Sequence, residues 1–138
     1  MPNFQDLTVG DVVAQQDFKI TRDSLVRYAG ASGDFNTIHY RDDIAQAVGL
    51  PGVLAHGMLT MGISIQPVVT WIGDAGRVVD YGVRFTKPVV VPAQGHAALN
   101  VKATIGALDE EAKRARIDLT TTFEENTVLG KAQAWVQF

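Results

Sequence analysis

The stretch "HGMLTMGISIQPVVTWI", residues 56 to 72, is the strongest indication of the fold, because it is apolar around nearly the whole circumference of a helix. A helix of this kind is normally buried on every side. Pro67 lacks a backbone N–H, so it should kink the helix or end its regular part. The sequence therefore predicts one central helix, from His56 to about Ile72, that other elements must enclose.

The second half of the chain alternates apolar and polar residues with a period of two, which predicts strands with one face toward a core and one toward water. The segments "ALDEEAKR" (107–114) and "EENTVLG" (124–130) are predicted hairpin connections. Four antiparallel strands that curl around one helix give an α+β fold. Such a sheet covers only part of the helix, so we expect a second subunit to complete the burial. The apolar positions of the four strands are Val79, Tyr81, Val83 and Phe85; Leu99, Val101, Ala103 and Ile105; Ile117, Leu119, Thr121 and Phe123; and Ala132, Ala134 and Val136.

Two short helices are predicted in the first half of the chain. One lies in "ITRDSLVRYAGASG" (20–33), with Thr21 as its N-cap. The other lies in "RDDIAQAVGLPG" (41–52) and should stop at Gly49. No linker or internal repeat interrupts the sequence, and we expect one domain over residues 1–138.

Composition argues against several classes of protein. The net charge is −3 without a basic cluster, which argues against binding to nucleic acid. The absence of cysteine excludes disulfides, a thiolate nucleophile and a cysteine-based metal site. No apolar run is long enough to span a bilayer, and the N-terminal "MPNFQDLTVGDVV" does not have the pattern of a signal peptide. We expect a cytoplasmic protein that does not bind membranes.

The stretch "GDFNTIHYRDD", residues 33 to 43, carries the first candidate site residues, Asp34 and His39. On an α-helix two residues five positions apart point about 140° away from each other. Gly33 predicts a turn instead, which can aim both side chains at one water. A carboxylate and an imidazole that share a water form a competent acid–base pair. Asn36 lies between them and is suited to bridge backbone groups of the loop.

Two other interpretations of these residues remain open from the spacing alone. In the first, the segment is an ordinary polar loop, where Asp34 and Asn36 make Asx turns and His39 caps the next helix. In the second, Asp34, His39 and His56 are metal ligands, although no HxxxH or HExxH spacing is present.

The stretch "LAHGMLTMG", residues 54 to 62, places Gly57 at the expected start of the central helix. Backbone N–H groups at a helix start have no intrahelical acceptor, and the helix dipole favours negative charge there. A glycine also lets a substrate carbonyl approach closely, as an oxyanion hole requires. The structural alternative is that Gly57 only allows tight packing and that His56 only caps the helix.

Together the two stretches resemble the motifs of the MaoC-like (R)-specific hydratases and dehydratases. Residues 28–39 match the family motif Y-A-x-x-S-G-D-x-N-x-I-H, and residues 55–58 match A/V-H-G-M. The similarity continues through "LTVGD" (7–11) and "VVDYGVRFTKPVVVP" (78–92), so it covers most of the chain. Within the family, the sequence looks most like the catalytic dehydratase subunits of actinobacterial fatty-acid elongation, which make mycolic-acid precursors.

The resemblance implies a hotdog fold, in which a curved antiparallel sheet wraps a long central helix. It implies reversible syn hydration of trans-2-enoyl thioesters of CoA or acyl carrier protein to (3R)-3-hydroxyacyl thioesters, without a metal or redox cofactor. Asp34 and His39 would polarise the water, and the amide of Gly57 would bind the thioester carbonyl. Asn36 and His56 would support them.

One departure from the family concerns the central helix. Some family members have an assisting serine there, and the equivalent position here is Ile65, so we assign no role to a serine. Met58, Met61 and Ile65 could line an apolar tunnel for the acyl chain, or they could be ordinary core residues.

The expected partner is a homologous hotdog subunit, in a homodimer or a heterodimer. Two alternatives to the hydratase keep the same fold. A hotdog thioesterase would attack the carbonyl carbon, and such enzymes generally lack the Asp-x-Asn-x-x-His loop. A non-catalytic subunit would only hold the acyl chain, and the presence of Asp34 and His39 argues against it.

Overall fold

The computed structural model describes residues 1–138 and contains one antiparallel sheet and four α-helices. The helices are α1 (Arg22–Ser32), α2 (Asp42–Ala47), α3 (Gly57–Ser64) and α4 (Gln66–Ile72). The strands are β1 (Val12–Ile20), β2 (Val78–Phe85), β3 (Ala97–Asp109), β4 (Arg114–Phe123), β5 (Asn126–Thr127) and β6 (Leu129–Gln137).

The strand order is β1-β3-β4-β6-β2, and the short β5 pairs with β4. The inner strands keep the alternation that the sequence predicts. Leu99 and Val101 of β3 and Ile117 and Leu119 of β4 are at most 5% exposed. These side chains form the core together with residues of β6 and the helices. The predicted α+β architecture is confirmed.

The two edge strands depart from the sequence prediction. The sequence does not predict β1, because the consecutive polar residues Gln15, Gln16 and Asp17 hide its alternation. In β2 the predicted apolar face is wrong at two positions, since Val79 is 52% exposed and Phe85 is 56% exposed. Irregularities in the pairing of β2 with β6 interrupt the alternation along this strand. Such irregularities change the face to which the following side chains point. The prediction of four strands therefore missed two of the six, β1 and the two-residue β5.

Both helices predicted in the first half are present. Thr21 caps α1 through a capping box, in which the Thr21 hydroxyl accepts from the backbone N–H of Ser24 and the Ser24 hydroxyl accepts from that of Thr21. The helix ends at Gly33, which adopts the left-handed conformation with φ 78°. This conformation strains any residue with a Cβ, so a glycine suits the tight exit from α1.

An ion pair joins α1 to α2. Arg22 Nη2 lies 2.9 Å from Asp42 Oδ1, and Arg22 Nε donates to the carbonyl of Val91 at 2.8 Å. The same Asp42 oxygen accepts the backbone N–H of Val53 at 3.1 Å. These bonds fix the start of α2 against two distant segments of chain.

The central helix is built from two pieces, α3 and α4, that meet at Ile65. The break agrees with the effect predicted for Pro67, which cannot donate to the helical hydrogen-bond ladder. Beside the break, the side chain of Gln66 donates to the carbonyl of Gly62 at 3.1 Å. None of the helices is both long and apolar enough to cross a membrane.

One face of the central helix packs on the sheet and the other is open. Thr60, Ser64, Val68 and Ile72 follow each other at intervals of four and are at most 3% exposed. On the opposite face Met58 is 58% exposed. Within one chain the helix is therefore not buried on every side.

Candidate active site

A chain of local hydrogen bonds shapes the loop that carries Asp34. The hydroxyl of Ser32 accepts the N–H of Asp34 at 3.1 Å. Asp34 Oδ1 accepts the N–H of Asn36 at 3.1 Å, and Asn36 Oδ1 accepts the N–H of Ile38 at 3.2 Å. The Asx turns of the polar-loop interpretation are therefore present. They use only one oxygen of Asp34, and the other oxygen, Oδ2, faces His39.

His39 is held in one tautomer by the backbone. Its Nδ1 lies 2.7 Å from the carbonyl oxygen of Leu54. A carbonyl can only accept, so Nδ1 carries the proton and, in the neutral ring, Nε2 presents a lone pair. The His39 side chain is 10% exposed, whereas that of Asp34 is 49% exposed. His39 does not cap α2, whose N-cap position is Arg41.

The gap between Asp34 and His39 has the width of one bridging water. His39 Nε2 and Asp34 Oδ2 are 3.9 Å apart, which is too long for a direct hydrogen bond. A water about 2.8 Å from each atom can sit to one side of the line between them and donate to both. Both groups can accept a proton from such a water, so the pair has the geometry of a general base.

His56 packs beneath this pair. Its ring stacks on that of His39, with centroids 3.9 Å apart and planes 24° apart, and meets Tyr28 edge-on at 4.7 Å. His56 Nε2 donates to the backbone carbonyl of Asp34 at 3.2 Å. Burial, followed by repulsion from His39, lowers the pKa of His56 below its ordinary value. The alternative in which the His56 side chain only caps the helix is wrong, since His56 occupies the N-cap position of α3 without a side-chain capping bond.

Gly57 is the first residue of α3 and is exposed. As the first helical residue it has no intrahelical acceptor for its N–H. A methyl group placed on Gly57 would lie 2.9 Å from Cε1 of Phe85, so the ring of Phe85 rests against this backbone. Gly57, His39 and Phe85 line one cavity of about 290 Å³, together with Lys87. Gly57 and His39 therefore border one accessible space, of which Asp34 is not a lining residue.

A second cavity, of about 240 Å³, lies on the side of His39 toward α1. Its walls are almost wholly apolar and include Leu25, Phe35 and Tyr40. The residues predicted to line an acyl tunnel lie elsewhere. Met58 is exposed, Met61 and Ile65 are half-buried, and none of the three lines either of these two cavities. Their role in a tunnel stays a prediction.

Asp34, His39 and His56 could each offer one metal-ligand atom, and these atoms lie within 4.8 Å of one another. The orientation of the rings does not suit a shared ion. The imidazole lone pairs lie in the ring planes, and nearly parallel rings stacked at 3.9 Å cannot point both lone pairs at a common centre. The hydrogen bond from His56 Nε2 also occupies one of its two nitrogens. The arrangement fits a water better than a metal.

The sequence predicted that one site contains Asp34, Asn36, His39, His56 and Gly57. The structure places all five in the loop after α1, the segment before α3 and the start of α3. The sequence prediction missed the carbonyl of Leu54, which orients His39, because a backbone acceptor has no signature in the sequence. It also missed the ring of Phe85 beside Gly57. The only available signal was the position of this residue at the end of a predicted strand.

Comparison with known proteins identifies the class to which this fold and site belong. The family model described as "MaoC like domain" matches residues 4–124. The chain is similar to the 3-hydroxyacyl-thioester dehydratase X of Mycobacterium tuberculosis, with 41% identity over 75 residues, which is 54% of this chain and 26% of that protein. It is also similar to the 3-hydroxybutyryl-CoA dehydratase of Methylorubrum extorquens, with 27% identity over 129 residues, 91% of this chain and 78% of that protein.

Among solved structures, one described as a MaoC-like dehydratase superposes with a TM-score of 0.95 at 37% identity, covering 99% of this chain and 42% of that chain. The chain belongs to the MaoC-like domain family, and the hotdog fold is confirmed. It spans about a quarter of the length of dehydratase X and less than half of that solved chain.

Proposed function

We propose that the protein catalyses the reversible syn hydration of trans-2-enoyl thioesters to (3R)-3-hydroxyacyl thioesters. The observation that carries the proposal is the gap of 3.9 Å between Asp34 Oδ2 and His39 Nε2, together with a cavity that both His39 and Gly57 line. Family membership supports it, as do the two relatives whose names describe dehydratases of hydroxyacyl thioesters.

In the hydration direction the water held by Asp34 and His39 forms the new C–O bond at C3 of the enoyl chain. The pair accepts one proton from the water and returns one to C2, so that the elements of water are added across the double bond. Asp34 and His39 act here as one unit, because both face the same water. The carbonyl oxygen gains negative charge as C3 is attacked, and the N–H of Gly57 stabilises it. Loss of one such donor typically costs about 3 kcal/mol.

The carrier of the thioester, CoA or acyl carrier protein, enters through the cavity of about 290 Å³ beside Gly57 in this proposal. Lys87 lies on its wall and is exposed, and its Nζ is 2.8 Å from Asn126 Oδ1. It is the cation best placed to meet a carrier phosphate or an acidic carrier protein. Arg77 and Arg84 line other cavities and are less suited.

Assembly with a homologous hotdog subunit, identical or different, is part of the proposal. The open face of α3 exposes Met58, and the edge strand β2 exposes Val79 and Phe85. A second subunit that continues the sheet would cover these side chains and help to wall the acyl tunnel. A specific interface should bury more than about 1,200 Å². Light scattering should give a mass of twice 14.9 kDa or more, and a fully active monomer would contradict this part.

The reaction is tested with crotonyl-CoA by following enoyl absorbance and free thiol together. We expect the absorbance to fall without release of thiol. Release of free CoA would instead identify a thioesterase. No change with either crotonyl-CoA or a crotonyl acyl carrier protein would favour a non-catalytic subunit.

A further inference from the structure

His56 contacts all three groups to which the proposed function gives a role. Its ring stacks on His39 at 3.9 Å, its Nε2 binds the backbone oxygen of Asp34 at 3.2 Å, and it directly precedes Gly57. It is only 1% exposed, and in this protomer its side chain does not border the cavity beside Gly57. Its role is therefore to act on the groups around it rather than on the substrate.

The hydrogen bonds give the two stacked histidines opposite tautomers. A carbonyl oxygen only accepts, so His56 carries its proton on Nε2, whereas His39 carries its proton on Nδ1. Each ring is thus tied to the backbone of a different segment, His39 to Leu54 and His56 to Asp34.

The other nitrogen of His56, Nδ1, is buried and has no hydrogen-bond partner. A buried polar atom without a partner typically costs 1–3 kcal/mol. A phenylalanine of similar shape would avoid that cost if packing were the only task of this residue. The presence of histidine indicates that its Nε2–H is needed.

We propose that His56 is a positioning residue that sets the width of the gap between Asp34 and His39, with its Nε2–H holding the Asp34 backbone and its ring face fixing the plane of His39. The inference rests on the proposed function, because the gap matters only if a water reacts there. A side chain that supports a reacting group must hold it within about 0.5 Å for full activity.

Two substitutions separate the two contacts. His56→Gln retains an N–H donor at about the distance of Nε2 but removes the ring. His56→Phe retains a ring to stack on His39 but removes the donor. The proposal requires both the bond to the Asp34 backbone and the stacking on His39. Each variant should therefore lower kcat by about tenfold or more, the usual scale for residues that orient reacting groups. KM should change by less than about threefold, since the substrate itself is not contacted.

The matched controls are His96→Gln and His96→Phe, because His96 is the third histidine of the chain, is exposed, and lines a different cavity with Pro92 and Glu124. They should keep the kcat of the wild type. If either His56 variant is folded by circular dichroism and keeps the wild-type kcat, the proposal is overturned. If the wild type itself shows no hydration, the proposed function has failed, and the kinetic comparison no longer bears on His56.

A second measurement does not depend on activity or on variants. Long-range ¹H–¹⁵N correlation spectra of the wild-type imidazoles should show His56 protonated on Nε2 and His39 protonated on Nδ1 at neutral pH. A neutral His56 with its proton on Nδ1 and none on Nε2 would overturn the proposal, because Nε2 could then not donate to Asp34.

Discussion

The inner strands of the sheet and the segment from Gly33 to Gly57 are built on different physical principles. In β3, β4 and β6, alternate side chains are buried in one apolar core, and the backbone pairs along whole strands. In the segment, short turns closed by Asp34 and Asn36 lead to two stacked imidazoles, each anchored to a backbone carbonyl. The sheet supplies stability through buried area, whereas the segment supplies the placement of a few polar atoms.

Because the two regions are built in different ways, mutations should affect stability and turnover separately. Changes in the sheet should lower the free energy of unfolding and leave the turnover of folded molecules intact. Changes to the site side chains of the segment, Asp34 and His39, should chiefly lower turnover. The following predictions test this separation.

The largest expected change in stability is in the sheet. Ile117 lies in β4 between two other strands and is fully buried. Ile117→Ala should lower the free energy of unfolding by about 2–5 kcal/mol, from lost burial and the cavity left behind. The kcat of the folded fraction should stay near that of the wild type. Val12→Ala, at a position 54% exposed in the edge strand β1, is the control and should change stability by less than about 0.5 kcal/mol. Denaturant titration and assays at low temperature measure both quantities.

The largest expected change in turnover is in the segment. Asp34→Asn and His39→Ala should each lower kcat by at least ~100-fold, the scale for general acid–base groups. The double variant should be scarcely worse than either single variant, because both groups act on one water. The unfolding curve of Asp34→Asn should remain close to that of the wild type, since Asp34 is exposed and Asn can still accept in the Asx turn. The kcat of His39→Ala is taken per folded molecule, because this variant also loses the stacking on His56 and the bond to Leu54. Near-normal activity in either single variant would contradict the assignment.

A smaller loss of turnover is expected at Gly57. Gly57→Ala keeps the N–H, but its methyl group would push against Phe85 and narrow the approach to that N–H. Steady-state assays should show a fall in kcat between about 10- and 100-fold, in line with the effect of small misplacements. The fold should survive, because the added methyl group would meet only the side chain of Phe85 and no backbone atom. Gly30→Ala is the matched control, since Gly30 also lies in a helix and a methyl group there meets nothing within 4 Å. Equal activity of the two variants would argue against a role for the Gly57 amide.

The smallest effect concerns the ion pair that joins α1 to α2. Hydrogen bonds from Arg22 and then from the backbone of Val53 lower the pKa of Asp42 from its ordinary value of 3.8. A lowered pKa in the folded state adds stability above 3.8 that is lost as the pH falls toward the lower, folded value. The difference in stability between the wild type and Asp42→Asn should therefore shrink from pH 7 to pH 3. Asp80→Asn, at an exposed carboxylate without an ion pair, should show no such trend. Denaturant titrations at pH 7 and pH 3 measure these differences in the free energy of unfolding, and an equal difference for Asp42→Asn at both pH values would contradict the prediction.

The sequence predicted the sheet best where each strand has one buried face. Leu99, Val101, Ile117 and Leu119 alternate because one core receives them all. In the edge strands β1 and β2, burial in the core constrains the alternation of side chains less strongly. The sequence did not predict β1, and irregular pairing of β2 exposes Val79, so periodicity alone could not assign these positions.

The residues of the candidate site were predicted from their types and motif, but their bonds could not be. Nothing in the sequence distinguishes the two oxygens of Asp34, of which one closes a turn and one faces His39. Likewise, the tautomer of His39 depends on the carbonyl of Leu54, and the approach to Gly57 depends on the ring of Phe85. These features depend on contacts between residues that are distant in the sequence, and a local sequence pattern does not predict such contacts.

The central claim is that the water held by Asp34 and His39 becomes the hydroxyl of the product. Incubation of crotonyl-CoA in ¹⁸O-labelled water, followed by mass spectrometry, tests it most directly. We predict that the wild type forms an intact 3-hydroxybutyryl thioester with one ¹⁸O at C3, and that His39→Ala forms it at least ~100-fold more slowly. Label found in a released carboxylic acid, or label at C3 that appears equally fast without His39, would contradict the account.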